Sequence, residues 1–175
     1  YTLLSRAGPT SINLSLSPAQ RRWVAQKGHL ILGTSAPDYP PFDMTASGRD
    51  YEGLTADVAG ILGNTLGLPI EVRRFASRQD AVRALSLGQI DLLGSANGFE
   101  AATPGVVLST PYAADQPVLV PRSNESRPLD TGLAGLRLSM VYHYLPMAEV
   151  RANYPKATIQ SYPASQNALN AVAFD

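Results

Sequence analysis

The stretch from Leu87 to Ser95 constrains the fold of this chain more than any other. It reads Leu-Gly-Gln-Ile-Asp-Leu-Leu-Gly-Ser, so a glycine that ends a helix is followed at once by a short apolar run. Such a run, bounded by an acid and by small residues, is typical of a strand buried on both faces. Because helix and strand follow each other so closely, the pattern predicts a parallel α/β sheet whose strand-end loops share one crevice. A shared crevice favours a binding protein over a catalyst.

The same alternation of strands and helices occurs before this stretch. Residues 29–33 and 70–75 are predicted strands, and two helices begin near Thr55 and Ser77. Short joints between such elements imply parallel pairing and right-handed crossovers. The helix near Thr55 is expected to bury one apolar stripe at helical spacing, which consists of Leu54, Val58, Ile61, Leu62 and Leu66.

A second set of similar elements follows further along the chain. Residues 136–141 and 157–162 are predicted strands, Pro146 opens one helix, and Ser165 caps another. A single strand-helix-strand-helix unit leaves sheet edges unpaired, so we expect this second lobe to be incomplete.

The predicted organisation has three parts. Residues 1–27 form a linker and a leading helix, residues 28–117 a first lobe, and residues 118–175 part of a second lobe. Two further short strands are predicted where the lobes meet, at residues 106–108 and 118–120.

The leading helix has a clear start signal. Ser17 precedes Pro18, and Gln20 stands three residues after the serine, which is the pattern of a capping box with proline in the first turn. Trp23 is expected to pack this helix onto the body of the protein.

Composition excludes several classes of function. Lys and Arg number 14, as do Asp and Glu, so no basic excess favours nucleic acid. Cysteine is absent, which excludes disulfides and thiolate sites. The two histidines, His29 and His143, show no metal-ligand spacing, and neither a phosphate-binding glycine loop nor a Gly-x-Ser-x-Gly elbow occurs. We therefore expect no enzyme activity in this chain, no cofactor and no metal.

The chain shows no targeting or membrane-spanning pattern. No apolar run approaches the roughly 20 residues that cross a bilayer. The N-terminus lacks the charged and then apolar pattern of a secretory leader. We expect the chain to be a mature piece of a longer protein, with any targeting or anchoring segment outside it.

Several motifs occur in the order and spacing of a known family. They are Pro40-Pro41-Phe42, Tyr51-x-Gly53-x-x-x-Asp57, Ala84-Leu85-x-x-Gly88-x-Ile90-Asp91 and Ser109-x-Pro111-Tyr112. With these motifs the chain resembles the type II periplasmic solute-binding proteins of family 3, over about residues 28–175. The resemblance implies a two-lobed α/β fold of the Venus-flytrap type, with a small solute bound between the lobes.

The leading helix with Trp23, which precedes the first predicted strand, and residues 51–122 resemble a narrower group. This group is the Venus-flytrap sensor modules of hybrid histidine kinases. Among these modules, the chain is most similar to the membrane-proximal second flytrap. The resemblance implies a periplasmic module of an inner-membrane sensor that forms a homodimer and passes lobe closure or rigidity to a cytoplasmic kinase. A ligand shifts such an equilibrium only by its difference in affinity for the two states.

One departure from the family bears on the ligand. Family members that bind amino acids carry an arginine that clamps the α-carboxylate, and Ala102 stands where that arginine aligns. The absence of this bidentate fork disfavours a free amino acid as the ligand. The predicted ligand is a small carboxylate or aromatic solute.

The candidate ligand-binding residues of the first lobe follow predicted strands. Strand-end loops of open α/β sheets carry ligand contacts, and a stiff proline-rich loop of this kind holds Asp38, Tyr39 and Phe42. Phe75 and Tyr112 are expected to flank a flat ring together with Phe42. Ser95 and Asn97 are expected to hold a small carboxylate through polar side chains and nearby amides.

The candidates of the second lobe are His143, Tyr144, Ser165 and Gln166. They stand near two helix N-termini, where anions are favoured. For Ser165 a capping role is the alternative, and for His143 a place at the edge of the core. Asp115 is a candidate hydrogen-bonding group at the hinge.

Two other classes of binding module remain open at this point. A stand-alone receptor of an uptake system has the same fold, and full-length sequence context distinguishes it from a sensor. A ligandless flytrap used for dimerisation also has this fold, and a ligand screen by thermal shift separates it from a binding module.

Overall fold

The structure, a computed structural model, describes residues 14–46, 50–114, 116–130 and 132–174. Asp115 lies outside these residues. The helices are α1 Pro18–Lys27, α2 Leu54–Leu66, α3 Arg78–Ser86, α4 Gly98–Ala101, α5 Met147–Asn153 and α6 Ser165–Phe174. The strands are β1 Leu30–Ser35, β2 Met44–Ala46, β3 Asp50–Glu52, β4 Ile70–Phe75, β5 Leu92–Leu93, β6 Arg137–Val141 and β7 Thr158–Tyr162.

The chain divides into two compact units, the first ending at Ser95 and the second beginning at Ala96. This division falls earlier than residue 117, where the sequence places the lobe boundary. Compactness and a hinge are different properties, so the lobe boundary stays a prediction.

Unit 1 is built on the predicted parallel sheet, with strand order β4-β1-β5. Leu30 lies opposite Ile70 and Ser35 opposite Phe75, while Leu32 lies opposite Leu92. Leu30 and Leu32 are each only 3% exposed, so the central strand lies in the core. The carboxyl ends of the strands consequently open on one edge, as expected for parallel strands.

The helix α2 faces the core with small side chains. Its buried residues are Thr55, Ala56, Ala59 and Gly63, whereas Ile61 is 50% exposed. The predicted stripe of large aliphatic residues is therefore wrong as the buried face. Small residues allow a helix to lie close to its neighbour, and the face of α2 that packs against the core consists of small residues rather than large aliphatic ones.

The leading helix α1 begins as predicted but does not pack as predicted. Ser17 Oγ accepts from the backbone N–H of Gln20 at 3.2 Å, and the Gln20 side chain accepts from Ser17 N–H at 2.8 Å. Trp23 is 51% exposed, however, and no residue of α1 is buried. The packing role expected for Trp23 is therefore wrong. An ion pair from Lys27 to Asp91, at 2.6 Å, ties the end of α1 to the residue that precedes β5.

Unit 2 contains a parallel pair, β6 and β7, with Arg137 opposite Thr158 and Val141 opposite Tyr162. Its core includes Met140, Val150 and Ala168. The first turn of α6 closes with a bond from Ala168 N–H to Ala164 O, at 3.2 Å. Ser165 is thus the first residue of the helix rather than its cap.

The two strands predicted at residues 106–108 and 118–120 do not form among the described residues. Val107 is 88% exposed and Val118 is 77% exposed. Apolar β-branched residues favour a strand only where a neighbouring strand completes the hydrogen bonds. The sequence pattern alone was therefore insufficient here.

Candidate functional site

Four polar side chains meet at the strand ends of unit 1. Asp43, Tyr51, Thr55 and Ser95 form this group, called here the strand-end cluster. The Tyr51 hydroxyl donates to Asp43 Oδ1, and the Ser95 hydroxyl donates to Asp43 Oδ2. Thr55 Oγ1 lies 3.0 Å from Ser95 Oγ. Asp43 and Thr55 are buried, whereas Tyr51 and Ser95 are half-buried and form the accessible side of the cluster.

The local chain is shaped to admit this cluster. A Cβ added at Gly94 would lie 2.5 Å from Thr55 Cγ2 and 3.2 Å from Asp43 Oδ1. Arg78, which is buried, donates from Nη2 to the Gly94 carbonyl at 2.6 Å. Ser95 has a φ of 54°, a left-handed conformation that is uncommon outside glycine. Glycine at 94 and the unusual backbone at 95 together bring the serine hydroxyl to the carboxylate.

The loop after β1 uses Asp38 internally. Its carboxylate accepts from the Thr45 backbone N–H at 2.9 Å and pairs with Arg74 at 2.8 Å. The Thr45 amide first, and then the Arg74 guanidinium, lower the pKa of Asp38 below its usual value. Arg74 also donates to the Thr45 hydroxyl. Asp38 therefore fastens its loop to β2 and β4.

The aromatic candidates of unit 1 lie close to this loop. Tyr39 and Phe42 are stacked, with ring centroids 5.4 Å apart and planes inclined by 18°. Tyr39 is 36% exposed. Phe75 ends β4, and its carbonyl accepts from Ala36 N–H at 2.9 Å. A flat apolar surface is thus present beside the strand ends.

In unit 2, Asn97 and Tyr144 come together. The Asn97 side chain donates from Nδ2 to the Tyr144 carbonyl at 2.8 Å, and its Oδ1 accepts from Phe99 N–H at 2.8 Å. Glu100, only 1% exposed, accepts from Asn97 N–H at 2.7 Å. Asn97 therefore caps α4 and fixes it to the loop after β6.

His143 belongs to a group of rings. Phe99, Tyr142 and His143 form this group, called here the aromatic cluster. The His143 and Tyr142 centroids are 5.0 Å apart with planes at 89°, and Phe99 lies 5.7 Å from Tyr142 with planes at 86°. Edge-to-face contacts of this kind are favourable.

The other candidates lie on exposed parts of unit 2. Tyr112 is 39% exposed. Ser165 and Gln166 are exposed at the start of α6, and Gln166 Nε2 donates to Asn170 Oδ1 at 2.9 Å.

Sequence reasoning found part of this arrangement. It named Ser95 but missed its partners Asp43, Tyr51 and Thr55. Asp43 directly follows the predicted Phe42, and Tyr51 begins a quoted motif, so both lay beside named residues. A buried carboxylate surrounded by hydroxyls has no periodic signal in a sequence. The ligand-binding role of the named residues stays a prediction.

Two kinds of feature are absent from the residues that the structure describes. No group of three or more His, Cys, Asp or Glu side chains in that part of the chain is placed to hold a metal ion. None of the helices formed there combines the length and apolar character needed to cross a membrane.

A parallel sheet with polar groups at its strand ends is typical of α/β folds that bind ligands at that edge. The chain belongs to the bacterial extracellular solute-binding proteins, family 3, whose sequence profile matches residues 30–172. The predicted family and the predicted α/β Venus-flytrap fold are therefore confirmed.

Particular relatives are sensor proteins. The chain is 44% identical to the virulence sensor protein BvgS of Bordetella bronchiseptica over 99% of its length, but spans only 14% of that protein. In a crystal structure of the B. pertussis BvgS periplasmic domain the identity is 42% and the TM-score 0.74, covering 99% of this chain and 34% of the other. A crystal structure of the BvgS VFT2 domain is 21% identical with a TM-score of 0.75, covering 90% of this chain and 67% of the other.

These figures correct one detail of the expected resemblance. The isolated second flytrap is 21% identical to this chain, whereas the periplasmic domain of the same organism's sensor reaches 42%. The more similar segment therefore lies outside the second flytrap. Similarity to a Venus-flytrap sensor module is confirmed, but its position as the second flytrap is not supported.

Proposed function

We propose that this chain is a periplasmic ligand-sensing module of a sensor histidine kinase, in which a small solute binds at the strand ends. Membership in a solute-binding family supports the binding role. Similarity to BvgS over 99% of the chain supports the sensing role. The observation that carries the proposal is the strand-end cluster, because it places oriented polar groups at the sheet edge where ligands of open α/β folds bind.

Of the two predicted solutes, the contacts favour the aromatic one. The exposed, stacked pair of Tyr39 and Phe42 offers a flat apolar surface. Two of the groups expected to hold a carboxylate already make bonds within the protein. The Ser95 hydroxyl donates to Asp43, and one of the two N–H groups of the Asn97 amide donates to the Tyr144 carbonyl.

The way in which binding reaches the kinase depends on the proposed parent protein, a sensor histidine kinase. The parent protein is anchored in the inner membrane, forms a homodimer, and passes the closure or rigidity of its flytrap to a cytoplasmic kinase. A solute changes kinase output only if it binds two conformations with different affinity.

The test uses the intact parent protein in detergent or nanodiscs. A library of small aromatic solutes is screened by calorimetric melting, because a ligand that binds the native state raises its melting temperature. Hits are then assayed for their effect on autophosphorylation. Tyr39→Ala should weaken binding by about tenfold or more, the equivalent of roughly 1.4 kcal/mol. The matched control Tyr154→Ala, in unit 2 at the end of α5, should leave binding unchanged.

The outcomes separate the parts of the proposal. If no solute raises the melting temperature, the binding role is rejected. A solute that binds without changing autophosphorylation rejects the sensing role and favours an uptake receptor. Equal losses of affinity in the two tyrosine variants reject the location of the site.

A further inference from the structure

We infer that Arg78 is a positioning residue of the strand-end cluster. It holds the backbone at Ser95 in a left-handed conformation, which carries the Ser95 side chain to Asp43 and Thr55. This role rests on the proposed function, because the residue that Arg78 positions belongs to the proposed solute site. Arg78 lies outside the cluster and was not among the candidates that the sequence suggested.

The backbone conformation of Ser95 is not explained by burial. Among the described residues, two besides glycine have a positive φ, Ser95 at 54° and Leu133 at 57°. An L residue adopts this conformation at a cost, so its surroundings must impose it. Leu133 is 3% exposed, and the burial of its large apolar side chain offsets that cost. Ser95 is only half-buried and its side chain is small and polar, so its conformation has a different cause.

The cause that the structure offers is a hydrogen bond to the preceding peptide group. Arg78 is 6% exposed, and its Nη2 donates to the Gly94 carbonyl at 2.6 Å. A peptide group is planar, so the direction of this carbonyl sets the plane from which the φ of Ser95 is measured. Hydrogen bonds from charged donors are stronger than neutral ones, and such a bond is large enough to offset the cost of one left-handed residue.

Both ends of this bond are themselves held in place. The Ser77 hydroxyl caps α3, which begins at Arg78. On the other side, Gly94 N–H donates to the Gly33 carbonyl at 3.3 Å. A Cβ added at Gly94 would lie 2.5 Å from Thr55 Cγ2, so the backbone there is packed against α2. The peptide group that follows β5 is therefore fixed between the sheet and the start of α3.

The conformation of Ser95 decides where its side chain lies. Its hydroxyl contacts Asp43 Oδ2, and its Oγ lies 3.0 Å from Thr55 Oγ1. Without the bond from Arg78, we expect residue 95 to adopt the negative φ that L residues favour. The side chain would then turn away from both partners, while the sheet would remain in place.

The test places a thiol at position 95 of the intact parent protein. This chain contains no cysteine, and Ser95→Cys exchanges the hydroxyl for a thiol with little change of shape. Alkylation by iodoacetamide is followed as a function of pH, and peptide mass spectrometry measures the reaction at residue 95 alone. The thiolate is the reactive form, and a neighbouring carboxylate raises the pKa of a thiol. At mildly alkaline pH the introduced thiol should therefore react at least about tenfold more slowly than free cysteine.

Arg78→Met is then combined with Ser95→Cys. The reaction at residue 95 should become about fivefold faster or more, and its pH profile should move toward that of free cysteine, because the thiol leaves the carboxylate. Loss of the Arg78 charge by itself would have the opposite effect, since a nearby cation favours the thiolate. A faster reaction consequently reports the movement of residue 95.

Two variants on the same helix are the matched controls. Val82→Ala truncates a side chain that is 8% exposed, and Arg83→Met removes an exposed arginine. Neither touches the Gly94 carbonyl, so both should leave the reaction rate within about twofold of that of Ser95→Cys alone. If Arg78→Met does not fold, Arg78→Lys takes its place. Lysine keeps the charge but lacks the reach and the fork of the guanidinium, so the reaction should be about threefold faster or more.

The inference is overturned if the reaction in the Arg78 variant is unchanged or slower. It is also overturned if Val82→Ala accelerates the reaction equally, which would indicate local unfolding instead of lost positioning. A thiol in Ser95→Cys that already reacts like free cysteine overturns the placement of the side chain beside Asp43. The assay contains no solute, so a solute screen without a hit rejects the proposed function and leaves this result unchanged.

Discussion

The two parallel sheets of this chain end in different chemistry. In unit 1 the strand ends lead to a buried carboxylate, that of Asp43, which accepts hydrogen bonds from two hydroxyl groups. In unit 2 the end of β6 leads to the aromatic cluster, where His143 and Tyr142 meet edge to face at 5.0 Å. Both sheets arise from the same alternation of strand and helix. The comparison shows that this alternation fixes where the strand ends lie but leaves their polarity to individual residues.

A second difference lies in how tightly glycine is required. Gly53, in unit 1, has a φ of 107°, and an added Cβ would lie 2.4 Å from the Phe42 carbonyl oxygen. Gly135, in unit 2, has a φ of 72° with nothing within 4 Å of an added Cβ. A side chain at position 53 would therefore meet both an unfavourable backbone conformation and a backbone clash, whereas one at position 135 would meet the unfavourable conformation alone.

The largest expected effect on stability comes from replacing one of these two glycines by alanine. Gly53→Ala should lower the free energy of unfolding by about 4 kcal/mol, as overpacking adds to an unfavourable backbone conformation. Gly135→Ala should cost only about 1 kcal/mol. Urea denaturation followed by circular dichroism measures both. Similar losses in the two variants would contradict the close approach at Gly53.

The next largest effect is expected when one core side chain in each unit is replaced by alanine. Leu32, 3% exposed, and Val150, 2% exposed, are core residues of unit 1 and unit 2. Leu32→Ala should cost about 3 kcal/mol and Val150→Ala about 2 kcal/mol, from lost burial and the cavity left behind. Hydrogen exchange should show each loss concentrated in its own unit. Losses spread evenly over both units would indicate a single cooperative unit.

A smaller effect is expected at Asn97, which both caps α4 and donates to Tyr144. Asn97→Ala should cost about 1 kcal/mol or slightly more, since the cap and the donor are both lost. Asn97→Asp keeps the capping oxygen and should cost less. If the two variants are equally destabilised, the bond to Tyr144 is the dominant contribution and the cap is not.

The smallest effect is the response to acid. The Thr45 amide and the Arg74 guanidinium hold the folded pKa of Asp38 below 3.8. Its contribution to stability is therefore fully present above that value and is lost as the pH falls through the folded pKa. Because the pair is partly exposed, we expect less than about 1 kcal/mol.

Unit 2 offers a comparison at the surface. The Arg127 side chain lowers the pKa of Glu125 to about 2, and this pair joins residues only two positions apart in the chain. NMR titration should find both pKa values below normal. Asp38→Asn should remove part of the acid dependence of unit 1, and Glu125→Gln should leave global stability nearly unchanged. An equal or larger effect of Glu125→Gln would contradict this ranking.

The sequence predicted those parts of the fold that depend on neighbouring residues. The span of β4 was predicted as residues 70–75 and is observed as Ile70–Phe75. One helix was predicted to begin near Ser77; α3 begins at Arg78, and the Ser77 hydroxyl caps it by accepting from Asp80 N–H at 3.1 Å. Caps and strand periods are local patterns, so a sequence displays them directly.

Other features depend on residues that are distant in the chain. The short hairpin of β2 and β3 was missed, because strands of three residues have almost no period. The bond between Ser95 and Asp43 joins residues 52 positions apart. No local pattern in the sequence carries the information that these two residues meet.

The position of Trp23 has a practical consequence for anyone who follows this chain by intrinsic fluorescence. It is the chain's single tryptophan, and it lies half-exposed on a helix without buried residues. Its emission therefore reports the surroundings of α1, so the core can unfold with little change in the tryptophan signal. A change in that emission is better interpreted as a change at the leading helix than as loss of the native state.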